Sequence, residues 1–168
     1  MSDKKILILE HKQISQKINR MAYQILEDNL NEPEIIVAGI ADRGYLLAQR
    51  IEQKLLEISK QKIVLMKIQL DKDSTQLEAS TDLDIKLAEQ KVVILVDDVL
   101  NSGRTLAYGL GVFLNIQLKK IRTLVLVDRS HRIFPVSPDY TGLQLATVLK
   151  EHVDVELSEN GADAVYLR

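Results

Sequence analysis

Two adjacent carboxylates, Asp97 and Asp98, lie between an unbroken apolar run and a turn rich in polar groups. The run is Val-Val-Ile-Leu-Val at 92–96, and the turn is Asn101-Ser102-Gly103-Arg104-Thr105. Neighbouring acids are costly to bury without partners. Their natural place is the crevice beyond a strand's carboxyl end, where open α/β sheets bind ligands. Gly103 permits a tight turn and close approach of a ligand to the backbone. Ser102 and Thr105 supply hydroxyls, and the first N–H groups of a following helix make an anion site. A carboxylate pair repels a bare phosphate but accepts hydrogen bonds from sugar hydroxyls. An acid pair, a short spacer and a phosphate cradle together suit a ribose 5-phosphate. A solvated strand end and an ordinary helix cap explain each half alone, but not both at this spacing.

A second segment, Ile40-Ala41-Asp42-Arg43-Gly44, also follows an apolar run and precedes a helical pattern. By itself Asp-Arg-Gly is equally well a surface turn. The histidines, His11, His131 and His152, have no metal-ligand spacing and read as surface or hydrogen-bonding groups. Cysteine is absent, which excludes a disulfide framework, thiolate zinc and cysteine catalysis, and fits a cytoplasmic protein. A net charge of −2 gives no global field toward nucleic acid or membrane. The apolar residues 6–9 are too few for a signal-peptide core, and no run approaches a bilayer span.

The elements that must position these residues alternate. Ile14, Ile18, Met21 and Ile25 predict a helix over 11–30, which Asn31-Glu32-Pro33 ends. Residues 35–40 read as a buried strand, Leu47, Ile51, Leu55 and Ile58 as a second helix, and 63–70 as a strand. After the strand at 92–96, a helix is expected over 105–117, weakened by Gly109 and Gly111. Residues 121–127 form another strand, with shorter strand-like runs at 143–149, 153–157 and 164–167. Residues 71–90 are polar and predict a long exposed loop, with a short strand inside at most. Such loops are often lids, the alternative being an excursion without a role. Strands alternating with helices give an α/β fold with a mostly parallel central sheet flanked by helices. No repeat or linker divides the chain, so residues 1–168 read as one domain.

The stretch 93–105, VILVDDVLNSGRT, resembles the PRPP-binding signature of the type I phosphoribosyltransferases, where PRPP is phosphoribosyl diphosphate. The resemblance implies that Asp97 and Asp98 hold the ribose 2- and 3-hydroxyls, and that Asn101, Ser102, Gly103, Arg104 and Thr105 hold the 5-phosphate. Ala41, Asp42, Arg43 and Gly44 then resemble the family's diphosphate loop, with Arg43 its basic residue. Asp128-Arg129-Ser130-His131-Arg132, followed by Pro138-Asp139-Tyr140-Thr141-Gly142, resembles the group of bifunctional pyrimidine-operon regulators that are also uracil phosphoribosyltransferases.

That likeness implies a lid at about 71–90 and a small C-terminal hood at about 128–168, in which Asp128, Arg129 and Tyr140 face the base. It makes Arg43 and Lys72 the catalytic candidates. Mg²⁺ would be the cofactor, carried by PRPP, with Asp97 and Asp98 the protein groups nearest to a metal role. The partners are PRPP and a nucleobase, uracil favoured, in a homodimer or larger homo-oligomer. Asn101 stands where purine-type members often have an aspartate that accepts a proton, which argues against a hypoxanthine-guanine enzyme. Asp71-Lys72 stands where the regulators carry Tyr-Arg, so the charge remains but not the guanidinium fork. Arg20, His131 and Arg132 are the candidate RNA contacts. Asn19 and Tyr23 replace that group's usual Thr and His, and RNA binding is the less favoured reading.

Overall fold

The computed structural model describes residues 4–71, 78–147 and 151–168. A six-stranded sheet forms the centre, in the order β4-β3-β2-β5-β6-β7. Its strands are β2 (Glu34–Ile40), β3 (Lys62–Leu70), β4 (Ala79–Thr81), β5 (Val92–Leu100), β6 (Lys120–Asp128) and β7 (Tyr140–Gln144). All pairings are parallel except that of the short edge strand β4 with β3. The chain moves outward from β2 to β3, then returns to place β5 on the other side of β2. Between β2 and β5 the winding reverses, and such a switch point leaves a crevice at the carboxyl ends of the strands.

The apolar runs form the middle of this sheet because both faces are covered. Alternate residues serve alternate faces. Ile35, Val37, Ile94, Val96 and Leu126 pack under α1 (His11–Asp28) and α2 (Arg43–Ile58). Ile36, Ala38, Val93, Leu95 and Val125 pack on the other side with Leu106 of α3 (Arg104–Gly111). In α1, Ile14, Ile18, Met21, Ala22 and Ile25 are buried along one stripe. The helix opens where the Gln13 side chain accepts a hydrogen bond from the Glu10 N–H, 2.9 Å away.

A smaller antiparallel sheet has the order β1-β9-β8, from β1 (Ile6–Glu10), β8 (Val153–Glu156) and β9 (Ala164–Leu167). The hood therefore differs from the expected 128–168. Tyr140–Gln144 belongs to the central sheet as β7, and the chain's first strand completes the hood. One other expectation is corrected. The helix at 105–117 ends at Gly111 and gives way to turns, as glycines at 109 and 111 favour. The described part of 71–90 is mostly exposed and holds a short strand, β4, as expected; it also forms a short 3₁₀ helix over Ile85–Ala88, with Ala88 fully buried. No helix among the described residues is long and apolar enough to cross a membrane.

One buried carboxylate ties the hood to the core. Asp163, in the turn between β8 and β9, is paired with both Nη atoms of Arg50 on α2. It also meets His11 Nδ1 at 3.0 Å and accepts the Ser158 N–H at 2.9 Å. Burial alone would raise the carboxyl's pKa. The Arg50 hydrogen bonds and charge, with the Ser158 amide and His11, outweigh it and hold the group below its ordinary range. Because the unfolded chain binds this proton more readily, the stabilisation is complete above the ordinary carboxylate range. It is lost as pH falls through that range toward the lowered value. Asp163→Asn should therefore cost about 3 kcal/mol near neutral pH. In urea unfolding followed by circular dichroism from neutral to acid pH, the variant should also lose part of the wild-type's acid sensitivity.

Candidate functional site

β5 does not end at the acid pair, as the sequence suggested. It stays paired with β6 beyond it, Val99 opposite Val127 and Leu100 opposite Asp128. The carboxylates thus hang from a fixed strand. Asp97 is buried, and its Oδ1 accepts the Asp98 N–H at 2.9 Å. The next three residues turn the chain into α3. Gly103 adopts φ 86°, a left-handed conformation that other residues reach only with strain. The turn is pinned from the far side, where the Ser102 carbonyl accepts the N–H groups of Ile133 and Phe134 at 2.8 and 2.9 Å. Ser102 Oγ accepts the Arg104 N–H at 3.3 Å. The first N–H groups of a helix lack partners in the preceding turn of that helix, and here that end faces the crevice.

The second loop comes from β2. After Ile40 the Ala41 N–H is taken by the Ile68 carbonyl at 2.8 Å, the Ala41–Asp42 peptide is cis, and α2 starts at Arg43. Gly44 makes the approach to β5. A Cβ placed there would lie 2.8 Å from the Val96 carbonyl oxygen and 2.9 Å from Asp97 Cα. Gly39 does the same for β2 against α2, with a Cβ there 2.6 Å from Ala48 Cβ and Tyr45 Cα.

A cavity of about 400 Å³ lies between these loops. Its walls are residues 40–43 and 97–106, with Val153 of the hood. Ala41, Asp42, Arg43, Asp97, Asp98, Asn101, Ser102, Gly103, Arg104 and Thr105 all meet there, and Gly44 abuts Asp97 beneath. Arg43 Nη1 donates to Asp154 of β8 at 2.9 Å, a contact between positions 43 and 154 that leaves no trace in the sequence. The Arg104 guanidinium lies over the Tyr108 ring, which in turn meets Phe134. Lys72 is outside the described residues.

The expected base-facing groups are not on the walls of this cavity, because each is engaged elsewhere. Tyr140 is buried and donates to Asp28, in the last turn of α1, at 2.6 Å. Burial and that carboxylate push its phenol well above its usual range. Asp128 pairs with Arg132 at 2.7 Å and accepts the Ser130 N–H at 3.0 Å. Burial would raise its pKa, but these partners lower it. Arg129 is buried, donating to Thr147 Oγ1 at 3.0 Å and to the Glu151 carbonyl. Through these contacts they hold the β6–β7 loop, the residues before β8, and the α1–β7 contact.

The candidate RNA contacts are engaged as well. Arg20 donates to the Thr141 and Gly142 carbonyls at 3.0 and 2.9 Å, His131 Nε2 meets Thr147 Oγ1 at 2.9 Å, and Arg132 Nε donates to the Val136 carbonyl at 2.7 Å.

An acid pair on a central strand, a pinned phosphate turn and an arginine loop at one switch point describe a phosphoribosyl site. The chain matches the phosphoribosyl transferase domain over residues 7–160 and belongs to that family. Its relatives include the Bifunctional protein PyrR of Fusobacterium nucleatum, 36% identical over 167 residues that cover 95% of this chain and 94% of the relative. The Bifunctional protein PyrR of Clostridium kluyveri is 33% identical, covering 92% of each chain. Among solved structures, a hypoxanthine phosphoribosyl transferase of Trypanosoma cruzi superposes with a TM-score of 0.77 at 17% identity, over 99% of this chain and 91% of that one. A hypoxanthine-guanine phosphoribosyltransferase of Bacillus anthracis gives 0.71 at 24% identity, over 84% and 82%. These structures share the fold.

Gly44→Ala tests the close approach. The new methyl group must push α2 away from β5, at a cost of about 1–3 kcal/mol. The expected result is a lower thermal midpoint together with weaker PRPP binding by calorimetry, since the same displacement carries Arg43 away from the acid pair.

Proposed function

We propose that the protein transfers ribose 5-phosphate from PRPP to uracil, giving UMP and pyrophosphate. The observation that carries this reading is the meeting of three parts, the acid pair, the phosphate turn and the Arg43 loop, around one cavity. In this reading Asp97 and Asp98 accept hydrogen bonds from the ribose hydroxyls. Ser102, Thr105 and the N-terminal amides of α3 take the 5-phosphate. Arg43 and the amides around Ala41 and Asp42 take the diphosphate, whose charge grows as the bond to the sugar breaks, so fixed donors there favour the transition state. Lys72, outside the described residues, is the further cationic candidate by the family resemblance, and the reaction needs water kept from the activated sugar. The small sheet of β1, β9 and β8 closes the other side.

Two carboxylates at one wall suit a Mg²⁺ that shares its coordination with phosphate oxygens of its ligand. Bound with PRPP, the ion would neutralise charge on the departing pyrophosphate. Asn101 lines the cavity and cannot take a proton, which favours a pyrimidine over hypoxanthine or guanine.

Pyrophosphate release from PRPP with a panel of bases tests the reading. Turnover with uracil and little with hypoxanthine, guanine, xanthine or orotate is expected. Turnover confined to a purine would make the protein a purine phosphoribosyltransferase, and none with any base would overturn the assignment. Converting both acids, Asp97→Asn with Asp98→Asn, should weaken PRPP binding about 100-fold or more, since two charge-assisted contacts are lost. The fold should persist.

A second reading is an RNA-binding attenuator of pyrimidine genes that responds to UMP or PRPP. It is favoured by the word bifunctional in the relatives' names, with Arg20, His131 and Arg132 its candidate contacts. Filter binding to the leader of its own pyrimidine genes tests it. Affinity that is sequence-selective and strengthened by UMP supports the attenuator, and affinity indifferent to both counts against it.

A further inference from the structure

We propose that Asp154 is an internal competitor for Arg43, an electrostatic latch that an incoming diphosphate must open. The proposal rests on the phosphoribosyl-transfer reading and adds a regulating contact to the same cavity. Asp154 stands on β8, and its neighbour Val153 forms part of the cavity wall. Asp154 Oδ1 accepts from Arg43 Nη1 at 2.9 Å, while Oδ2 accepts from Arg168 Nη2 at 2.8 Å. One carboxylate thus bridges the first residue of α2 and the last residue of the chain.

The two ends of the latch differ in exposure. The Asp154 side chain is 18% exposed and that of Arg43 is 53% exposed. An ion pair with one open partner is weak and is screened by salt. Arg43 can therefore leave by a change of rotamer. Asp154 is not stranded when it does, because Arg168 still holds its other oxygen. A diphosphate offers Arg43 more negative charge and paired oxygens that fit a guanidinium.

The balance of charge at the cavity gives the latch an effect. Asp42, Asp97 and Asp98 line the walls beside Arg43 and Arg104. Asp154 adds another carboxylate at the same rim and occupies one of those two cations. Its charge opposes an anion both by repulsion and by competition. Ligand binding must also part the Arg43 side chain from Asp154, so occupancy of the cavity is coupled to a contact of the hood.

The test is calorimetric titration of the full-length protein with inorganic pyrophosphate and with PRPP, at low ionic strength and in high salt. Asp154→Asn should bind pyrophosphate about two- to fivefold more tightly than wild type at low salt, the range open to an exposed pair. The advantage should shrink in high salt, where the pair is screened. The KM for PRPP should fall in step, with kcat changing less, and Asp154→Glu should behave like wild type. Arg168→Gln should move the other way and weaken pyrophosphate binding, because Asp154 is then left to Arg43 alone. It also serves where Asp154→Asn does not fold. If neither variant changes affinity, or both shift it in one direction, while wild type binds PRPP normally, the latch is overturned and the proposed function stands. If wild type binds neither pyrophosphate nor PRPP, the proposed function itself fails.

Discussion

The ligand edge depends on one backbone contact: the first turn of α2 lies against β5 because residue 44 has no side chain. The Val96 carbonyl and the Asp97 Cα occupy the space a methyl group would need. Gly39 repeats the arrangement on β2, where Ala48 and Tyr45 come down on it. Together the two glycines draw the helix start onto the switch point and set the distance between the Arg43 loop and the acid pair. A site that holds both ends of one phosphorylated sugar needs that spacing fixed before the ligand arrives, since positioning is much of what such a site contributes. Here it is fixed by main-chain packing, which does not change rotamer.

The phosphate turn is held by the same kind of means. β5 is paired with β2 up to Val96 and continues past its acids in register with β6, so the turn begins from a strand still anchored on the β6 side. The loop after β6 then folds back and donates two main-chain N–H groups to the Ser102 carbonyl. Asp128, Arg129 and Arg132 brace that loop. Asp128 pairs with Arg132, whose Nε also donates to the Val136 carbonyl, and Arg129 donates to Thr147 Oγ1 and the Glu151 carbonyl.

What could be read from the sequence is what lies close together along it. The runs at 35–40, 92–96 and 121–127 are strands because a central parallel strand must be apolar on both faces. The acids and the phosphate turn were legible for a similar reason, since one strand and its following turn carry all of them. That Tyr140 donates to Asp28 was not legible, because its partner is at the end of a helix far earlier in the chain. β1 escaped notice because five residues gain their meaning only by pairing with the last strand, Ile6 opposite Leu167. Asp154 is a lone acid in a short strand, and nothing local marks it as a partner of Arg43. The signals that were missed are long-range pairings, made when the two ends of the chain meet in the hood.

Two ion pairs join that hood to α2, and their differing burial gives them different work. Asp163 has no exposed side-chain surface, and Arg50 is three-quarters covered. Opening that pair would leave a buried carboxylate without its guanidinium, which the Ser158 amide and His11 only partly replace, so the pair stays closed while the protein is folded. Arg43 and Asp154 join the same helix to the same sheet at the helix's first residue, but there the cation faces solvent and the carboxylate has a second partner. Opening it leaves nothing unsatisfied. The hood is thus clamped at the middle of α2 and releasable at its first residue, and the releasable contact is the one that borders the cavity. Leu9, Val155 and Val165 keep the small sheet packed on the core whichever partner Arg43 takes, so the exchange at Arg43 is a matter of one side chain while the acid pair and the turn after it are carried by the central sheet.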